Sequence, residues 1–250
     1  MTTQAAVDQF EMIDHIPPGG RLILSGVDWE DYEALLYRLG DDSHLRVSYS
    51  GGRLEVMSPN TPHEKYKNLI SALVRAIGYE LEIDVISFGS FTMKIDRLRK
   101  GAEADDCFYI QHASWMIDRD HLELGVDPPP DLVVEIDLTL DSRKKFGIYA
   151  SFGVPEIWRY DGQRLSVLQL IDGSYVVSEF SLCFPFLRAD KLIDLLSGVS
   201  SGTHQSWRAL HEWVRANRGR EPRHPRKSRA DWTNHDCILR LSGRQTLADR

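Results

Sequence analysis

Two acidic residues stand in a run that is otherwise apolar. The β-branched stretch Leu132-Val133-Val134-Glu135-Ile136-Asp137 reads as a short central strand. Glu135 and Asp137, at i and i+2, project from one face of it, about 7 Å apart. A second acidic set, Glu103, Asp105 and Asp106, lies on the preceding strand candidate. Side chains alternate along a strand, so only one of Asp105 and Asp106 can look inward, and the other is expected in solvent. Carboxylates converging from two strands are a common way to hold Mg²⁺, a hard cation that takes oxygen ligands and keeps several waters for a phosphate substrate. Lys145 could supply an amine: with Tyr149 and Phe152 it forms one face of a following helix, at i, i+4 and i+7. Blander readings fit the same residues. Glu135 and Asp137 would face water on a half-open sheet, the simpler reading of that strand alone, and Lys145 would snorkel to an edge.

These residues need elements to carry them. Residues 25–39 read as a helix capped by Ser25 or Asp28 and stopped at Gly40. Two strand-like runs flank Gly51-Gly52, a two-residue hairpin signal. Thr61, Pro62 and Glu64 fit the N-cap, first position and N3 of a second helix, whose apolar stripe is Leu69, Ile70, Leu73, Val74 and Ile77. On this pattern Glu64 is a capping-box partner, His63 a surface residue and Glu55 an exposed strand residue. Residues 84–95 look like one strand, 97–104 a turn, and 105–111 a second strand. The central strand follows Pro128-Pro129-Pro130, and Asp141 or Ser142 caps a short helix ending at Gly153. Three strands joined at Asp161-Gly162 and Asp172-Gly173 make a meander, and residues 188–218 are helical. Gly198 to Gly202 spells G-x-S-x-G, but a helix precedes it where a nucleophile elbow needs a strand. Trp207, Leu210 and Trp213 have helix-packing spacing. The expected architecture is α+β, a mixed sheet flanked by helices, with a leading hairpin and a trailing meander.

With 250 residues, 42% hydrophobic and 27% charged, the chain is long enough to bury a core without staples. No apolar run approaches the roughly 18 residues of a membrane span, and the first ten residues lack the pattern of a secretory signal. Cys107, Cys183 and Cys237 are too few and too scattered for a disulfide framework or a CxxC metal pair. A cytoplasmic protein with no organic cofactor is expected. Charge is uneven: residues 215–250 carry a net +6, and the remaining 214 carry −13. The basic tail reads first as a solvated, disordered segment and second as an anchor for phosphate backbones.

The segments GRLEVMSPNTPHEK, GAEADDCFYI, PPPDLVVEIDLT and KKFGIYASFGVPEIWRYDG, in this order, resemble the Uma-type putative restriction endonuclease family of the PD-(D/E)XK nuclease superfamily. The likeness spans roughly residues 20–190 and is most specific from Asp131 to Gly162. It implies a restriction-endonuclease-like αβββαβ core and Mg²⁺-dependent hydrolysis of phosphodiester bonds in DNA, with Mn²⁺ able to substitute. Carried over by position, Asp105 and Glu135 become the metal-binding carboxylates and Lys145 a catalytic lysine moved from strand to helix. Two departures stand out: Ala104 replaces the usual Pro, and Asp137 holds the place of the motif's Lys. His63, Glu64 and Asp137 are further candidates, steadying the metal or its water from behind. Pro130-Asp131 mimics the "PD" element but sits about 13 Å from Glu135 along the strand and reads as a strand entry.

The expected organisation is an extension over 1–20, the nuclease domain over 21–190, helices over 191–218 and the tail over 219–250. Cutting two strands takes two sites, which suggests a homodimer. The competing function is a catalytically weak or silent nuclease-fold domain that binds nucleic acid or protein. A small-nucleotide phosphoesterase would share the metal site but need a closed pocket.

Overall fold

The hairpin signal at Gly51-Gly52 sets the first layer. Both glycines have positive φ (58° and 79°), as the tight turn between β2 (Arg46–Ser50) and β3 (Arg53–Met57) requires. The computed structural model describes residues 12–40, 43–119 and 122–219, so the expectations for the basic tail and for Cys237 lie outside the described residues. β1 (Arg21–Ser25) flanks the hairpin on one side. β6 (Lys100–Glu103) and then β5 (Thr92–Ile95) flank it on the other, giving a five-stranded antiparallel sheet in the order β1-β3-β2-β6-β5. The first helix, α1 (Trp29–Leu39), starts after Asp28 and stops at Gly40. Its Trp29, Tyr32 and Leu35 bury against Val47, Tyr49, Leu54 and Val56 of the sheet. Because Val47 and Tyr49 meet α1, alternation turns Arg46 and Ser48 to the opposite face.

α1 depends on one absent side chain. A Cβ at Gly101 would lie 1.9 Å from the Tyr32 hydroxyl. Gly101→Ala is therefore expected to cost about 1–3 kcal/mol by overpacking, read as a lower urea midpoint with an unchanged m-value.

A second, six-stranded sheet runs β11-β10-β9-β8-β7-β4. Its strands are β4 (Ile86–Ser87), β7 (Asp106–Tyr109), β8 (Leu132–Ile136), β9 (Glu156–Tyr160), β10 (Leu165–Ile171) and β11 (Ser174–Ser178). Only β8 and β9 pair in parallel. A crossover joins them: a 3₁₀ turn over Ser142–Lys145 running into a helix over Phe146–Phe152. Between α1 and that crossover helix lie α2 (Thr61–Leu81) and the short α3 (Ala113–Met116), so the crossover helix is α4. α5 (Ala189–Val199) and α6 (His204–Asn217) follow. Ile70, Leu73, Val74 and Ile77 of α2 pack with residues of α5 and α6 against Leu132, Val134 and Ile136. Val133 points the other way, toward Ile148, Tyr149 and Phe152 of α4. Glu135 shares that face with Val133 by alternation.

The α+β class is as expected, but one sheet has become two. The chain from Lys100 to Tyr109 leaves the five-stranded sheet at Glu103, bends at Ala104-Asp105, and enters the six-stranded sheet at Asp106. The expected turn over 97–104 is confined to Asp96–Arg99, because Lys100–Glu103 find partners in both β2 and β5. The expected strand over 84–95 is broken between β4 and β5, around Gly89 with φ 62°. At α2 the cap is Asn60, whose side chain accepts from the His63 amide (3.0 Å), and Thr61 is the first helical residue. Glu64 is thereby shifted past N3, and the capping-box account of it falls. No helix of the described residues is long and apolar enough to cross a membrane.

Candidate active site

Glu135 is 1% exposed on a strand buried along its whole length. A carboxylate so placed needs partners, and α4 with its leading turn supplies them. Lys145 Nζ donates to both oxygens of Glu135 (3.0 and 2.9 Å) and to the backbone carbonyl of Glu103 (3.0 Å). The Tyr149 hydroxyl, one turn further on, donates to Glu135 Oε1. Burial pushes the Glu135 carboxyl up to about 7, with Asp105 and Asp137 adding repulsion and Lys145 and Tyr149 opposing. Burial would lower the Lys145 ammonium, but Glu135, Asp105 and Asp137 outweigh it and hold it above its ordinary value. Tyr149 carries a side-chain contact that its i+4 spacing from Lys145 had signalled only as core packing.

Asp105 occupies the bend between the sheets and is 1% exposed. Its amide donates to Val134 O (3.2 Å), and Oδ2 accepts from the Ile136 amide (2.7 Å), so it is stitched to both neighbours of Glu135 on β8. His63 Nε2 lies 3.0 Å from Oδ2, without the alignment of a hydrogen bond. Burial would raise the Asp105 carboxyl, but His63, Lys145 and the Ile136 amide hold it below the usual range. His63, for which a surface position and a place behind the site fit the sequence equally well, is buried with its ring against Asp105.

Arg46 is the residue that sequence reasoning missed. Its side chain is 7% exposed, with Nη1 tied to the carbonyls of His44 and Leu45 (3.1 and 3.2 Å). Nε stands 4.0 Å from Asp105 Oδ1 and Nη2 3.7 Å from Glu64 Oε1. Only its parity with Ser48, opposite the apolar Val47 and Tyr49, could have flagged it. Six buried side-chain polar atoms among the described residues lack a hydrogen-bond partner, and five are in this cluster: Arg46 Nε, both ring nitrogens of His63, Glu64 Oε1 and Asp105 Oδ1. Orphans of that kind, gathered in one place, mark a spot suited to an ion, water or reacting group.

Apart from Glu64, the other acidic candidates are placed elsewhere. Asp137 is bound by Arg159 and by the amide and hydroxyl of Ser142 (3.0–3.1 Å), fixing the start of the 3₁₀ turn; burial nonetheless keeps its carboxyl raised. Asp106, expected in solvent, is 3% exposed on the α2 side of the sheet, where the hydroxyls of Ser71 and Ser87 and the Cys107 amide satisfy it. Both faces of β7 are covered, so alternation has no solvent to offer. Asp131 accepts from the amides of Ile110 and His112 (2.7 and 2.9 Å) and ties the strand entry to the end of β7. Glu55 pairs with Arg21 and Arg53 (3.2 and 2.9 Å). Glu64 is half-exposed and pairs with Lys67 at 3.0 Å.

Among the described residues no three His, Cys, Asp or Glu side chains converge as a cage for a metal ion. The donor set still suits a hard cation of the Mg²⁺ type, which needs only one or two carboxylates plus waters and phosphate: Asp105 Oδ1 is a buried acceptor without a hydrogen-bond partner, near the carboxylate of Glu135.

No curated protein matches the chain. A solved structure, a putative nuclease belonging to DUF820 from Anabaena variabilis ATCC 29413, is 14% identical; the likeness covers 75% of this chain and 99% of that one, with a TM-score of 0.46. The sequence profile of Uma2, described as a putative restriction endonuclease, matches residues 29–201, well over half of the 250. On that match, the chain belongs to the Uma2 family of putative restriction endonucleases.

Proposed function

We propose that the protein is a metal-dependent endonuclease that hydrolyses phosphodiester bonds in DNA, with Asp105, Glu135 and Lys145 as its catalytic residues. One observation supports this reading: the Lys145 ammonium sits against the Glu135 carboxylate while the neighbouring Asp105 keeps a buried oxygen without a hydrogen bond. Asp105 and Glu135 would hold Mg²⁺, or Mn²⁺ in its place; the ion would polarise the phosphate and acidify a bound water.

Lys145 has spent its three N–H bonds on two Glu135 oxygens and the Glu103 carbonyl. Released from one Glu135 oxygen, that N–H would donate to the attacking water or to the phosphate oxygen where negative charge develops. Tyr149 would keep the other Glu135 oxygen in place, and the Ile136 amide would orient Asp105. His63 and Glu64 would steady the Asp105 side of the site, and Asp137 with Arg159 would anchor the turn that carries Lys145.

A second reading has its own support. The closed Glu135–Lys145–Tyr149 contact and the small carboxylate set suit a silent nuclease-fold module that binds nucleic acid or protein. Plasmid DNA incubated with Mg²⁺ or Mn²⁺ separates the two. Cleavage by the wild type, lost with chelator and in Glu135→Ala, and a rise in melting temperature on adding either ion, are the expected results. Equal cleavage by wild type and Glu135→Ala rejects the catalytic assignment. No cleavage and no thermal shift favour the module.

A further inference from the structure

A cavity of about 380 Å³ opens beside Lys145, between the β2–β3 hairpin and residues 141–148. Ser48, Ser50 and Arg53 line it from the hairpin, and Lys144, Lys145 and Ile148 from the crossover. Its two acidic wall residues have cations besides those offered to a ligand: Asp141 is held by Arg143 (2.7 Å), and Glu55 by Arg21 (3.2 Å), so Arg53, the second partner of Glu55 (2.9 Å), can turn to a phosphate. Lys144 is exposed and makes no ion pair among the described residues. Arg53, on the opposite wall, keeps 39% of its side chain in solvent. Two basic side chains thus line the same cavity as the ammonium already assigned to the reaction and two serine hydroxyls.

The dimensions select the ligand. A volume near 380 Å³ is at the small end of small-molecule pockets, about 300–1,000 Å³. It has room for a nucleotide-sized unit, and a double helix would have to lie outside it. Lys145 is 15% exposed and Glu135 2% by side chain, so a phosphate must come down to them. A single strand can thread such an opening; an intact duplex would have to open first.

Resting on the nuclease reading above, we propose that this cavity admits one nucleic-acid strand, with Arg53 and Lys144 contacting the phosphates that flank the one at Lys145. The hairpin, which precedes the αβββαβ core in the chain, is then the substrate-selecting wall. The substrate class is single-stranded or frayed DNA rather than an intact duplex.

The test measures binding apart from cleavage. Fluorescence anisotropy with a labelled single-stranded 12-mer and a blunt duplex of the same sequence is run without divalent ions, on full-length wild type and on Arg53→Ala/Lys144→Ala. Wild type is expected to bind the single strand at least tenfold more tightly. Losing two phosphate contacts should weaken single-strand binding and flatten the log–log salt dependence by about 1.4, at roughly 0.7 per contact. An Arg53→Lys/Lys144→Arg variant, which keeps both charges, should restore the slope. Tighter binding of the duplex, no binding of either, or an unchanged slope in the alanine variant overturns the proposal. Loss of the nuclease reading would show instead as no Mg²⁺- or Mn²⁺-dependent cleavage of the single-stranded 12-mer while these binding differences persist.

Discussion

Lys145→Met is expected to abolish cleavage, by about 10³-fold or more, and to lower folding stability by about 3–5 kcal/mol. The ammonium donates to both oxygens of the Glu135 carboxylate. Its removal leaves a buried acid with only the Tyr149 hydroxyl. Breaking one side of a buried pair is far costlier than replacing the whole pair, because the remaining charge keeps its desolvation penalty without its partner. Lys145→Met/Glu135→Gln should therefore recover most of the lost stability, Gln still accepting from Tyr149, while recovering no activity. Urea unfolding of the wild type, both single variants and the double variant gives the coupling directly. Cleavage within tenfold of wild type in Lys145→Met would remove Lys145 from the mechanism. A double variant no more stable than Lys145→Met would mean that the pair is not the energetic unit the geometry describes.

The metal-free protein is expected to be more stable at pH 5 than at pH 8. Burial raises the carboxyls of Glu135 and Glu156, each to about 7, and also those of Glu103 and Asp137. Glu156 is wholly buried, although the Trp158 indole (2.5 Å), the Ser181 hydroxyl (2.6 Å) and the Leu182 amide donate to it. A group whose pKa is higher folded than unfolded contributes stability that is intact below the unfolded value and lost as pH rises through the folded one. For Glu135 and Glu156 that window runs from about 4.5 to about 7. The imidazoles act in the same direction. Asp131 raises His112, and Asp105, working against burial, raises His63, so both lose their contribution on going alkaline. Carboxyls held low, such as Asp105, Glu80 and Asp141, matter only below the usual carboxylate range. For Glu156 alone the loss is on the order of 3 kcal/mol. Denaturant unfolding at pH 5, 6, 7 and 8 should show falling stability, with a shallower fall in Glu156→Gln. Stability constant or rising over that range would refute the assignment of these groups.

Much of the architecture was legible along the chain because its signals are local. The Gly51-Gly52 turn, the helix from Asp28 to Gly40, the apolar stripe of α2 and the run from Leu132 to Ile136 follow from φ preferences, caps and apolar period, and the structure places them there. Local pattern was weakest where partners are distant. Lys100–Glu103 reads as a turn, yet it is a strand because β2 and β5 lie on either side. Asp106 looks destined for water by alternation, yet Ser71 of α2 and Ser87 of β4 cover it.

The sequence by itself determined which residue types were available: two carboxylates on neighbouring strand candidates and a lysine on the face of a short helix that also carries Tyr149 and Phe152. Only the tertiary structure decided how they meet. The bend at Ala104-Asp105 carries one strand across two sheets and sets Asp105 against the amide of Ile136. The same crossing brings Arg46 of the first sheet and His63 of α2 to its side. Those contacts join residues 31 to 59 positions apart, and no periodicity encodes them. They arise because a buried charge must be met by whatever donor the packed fold brings within reach.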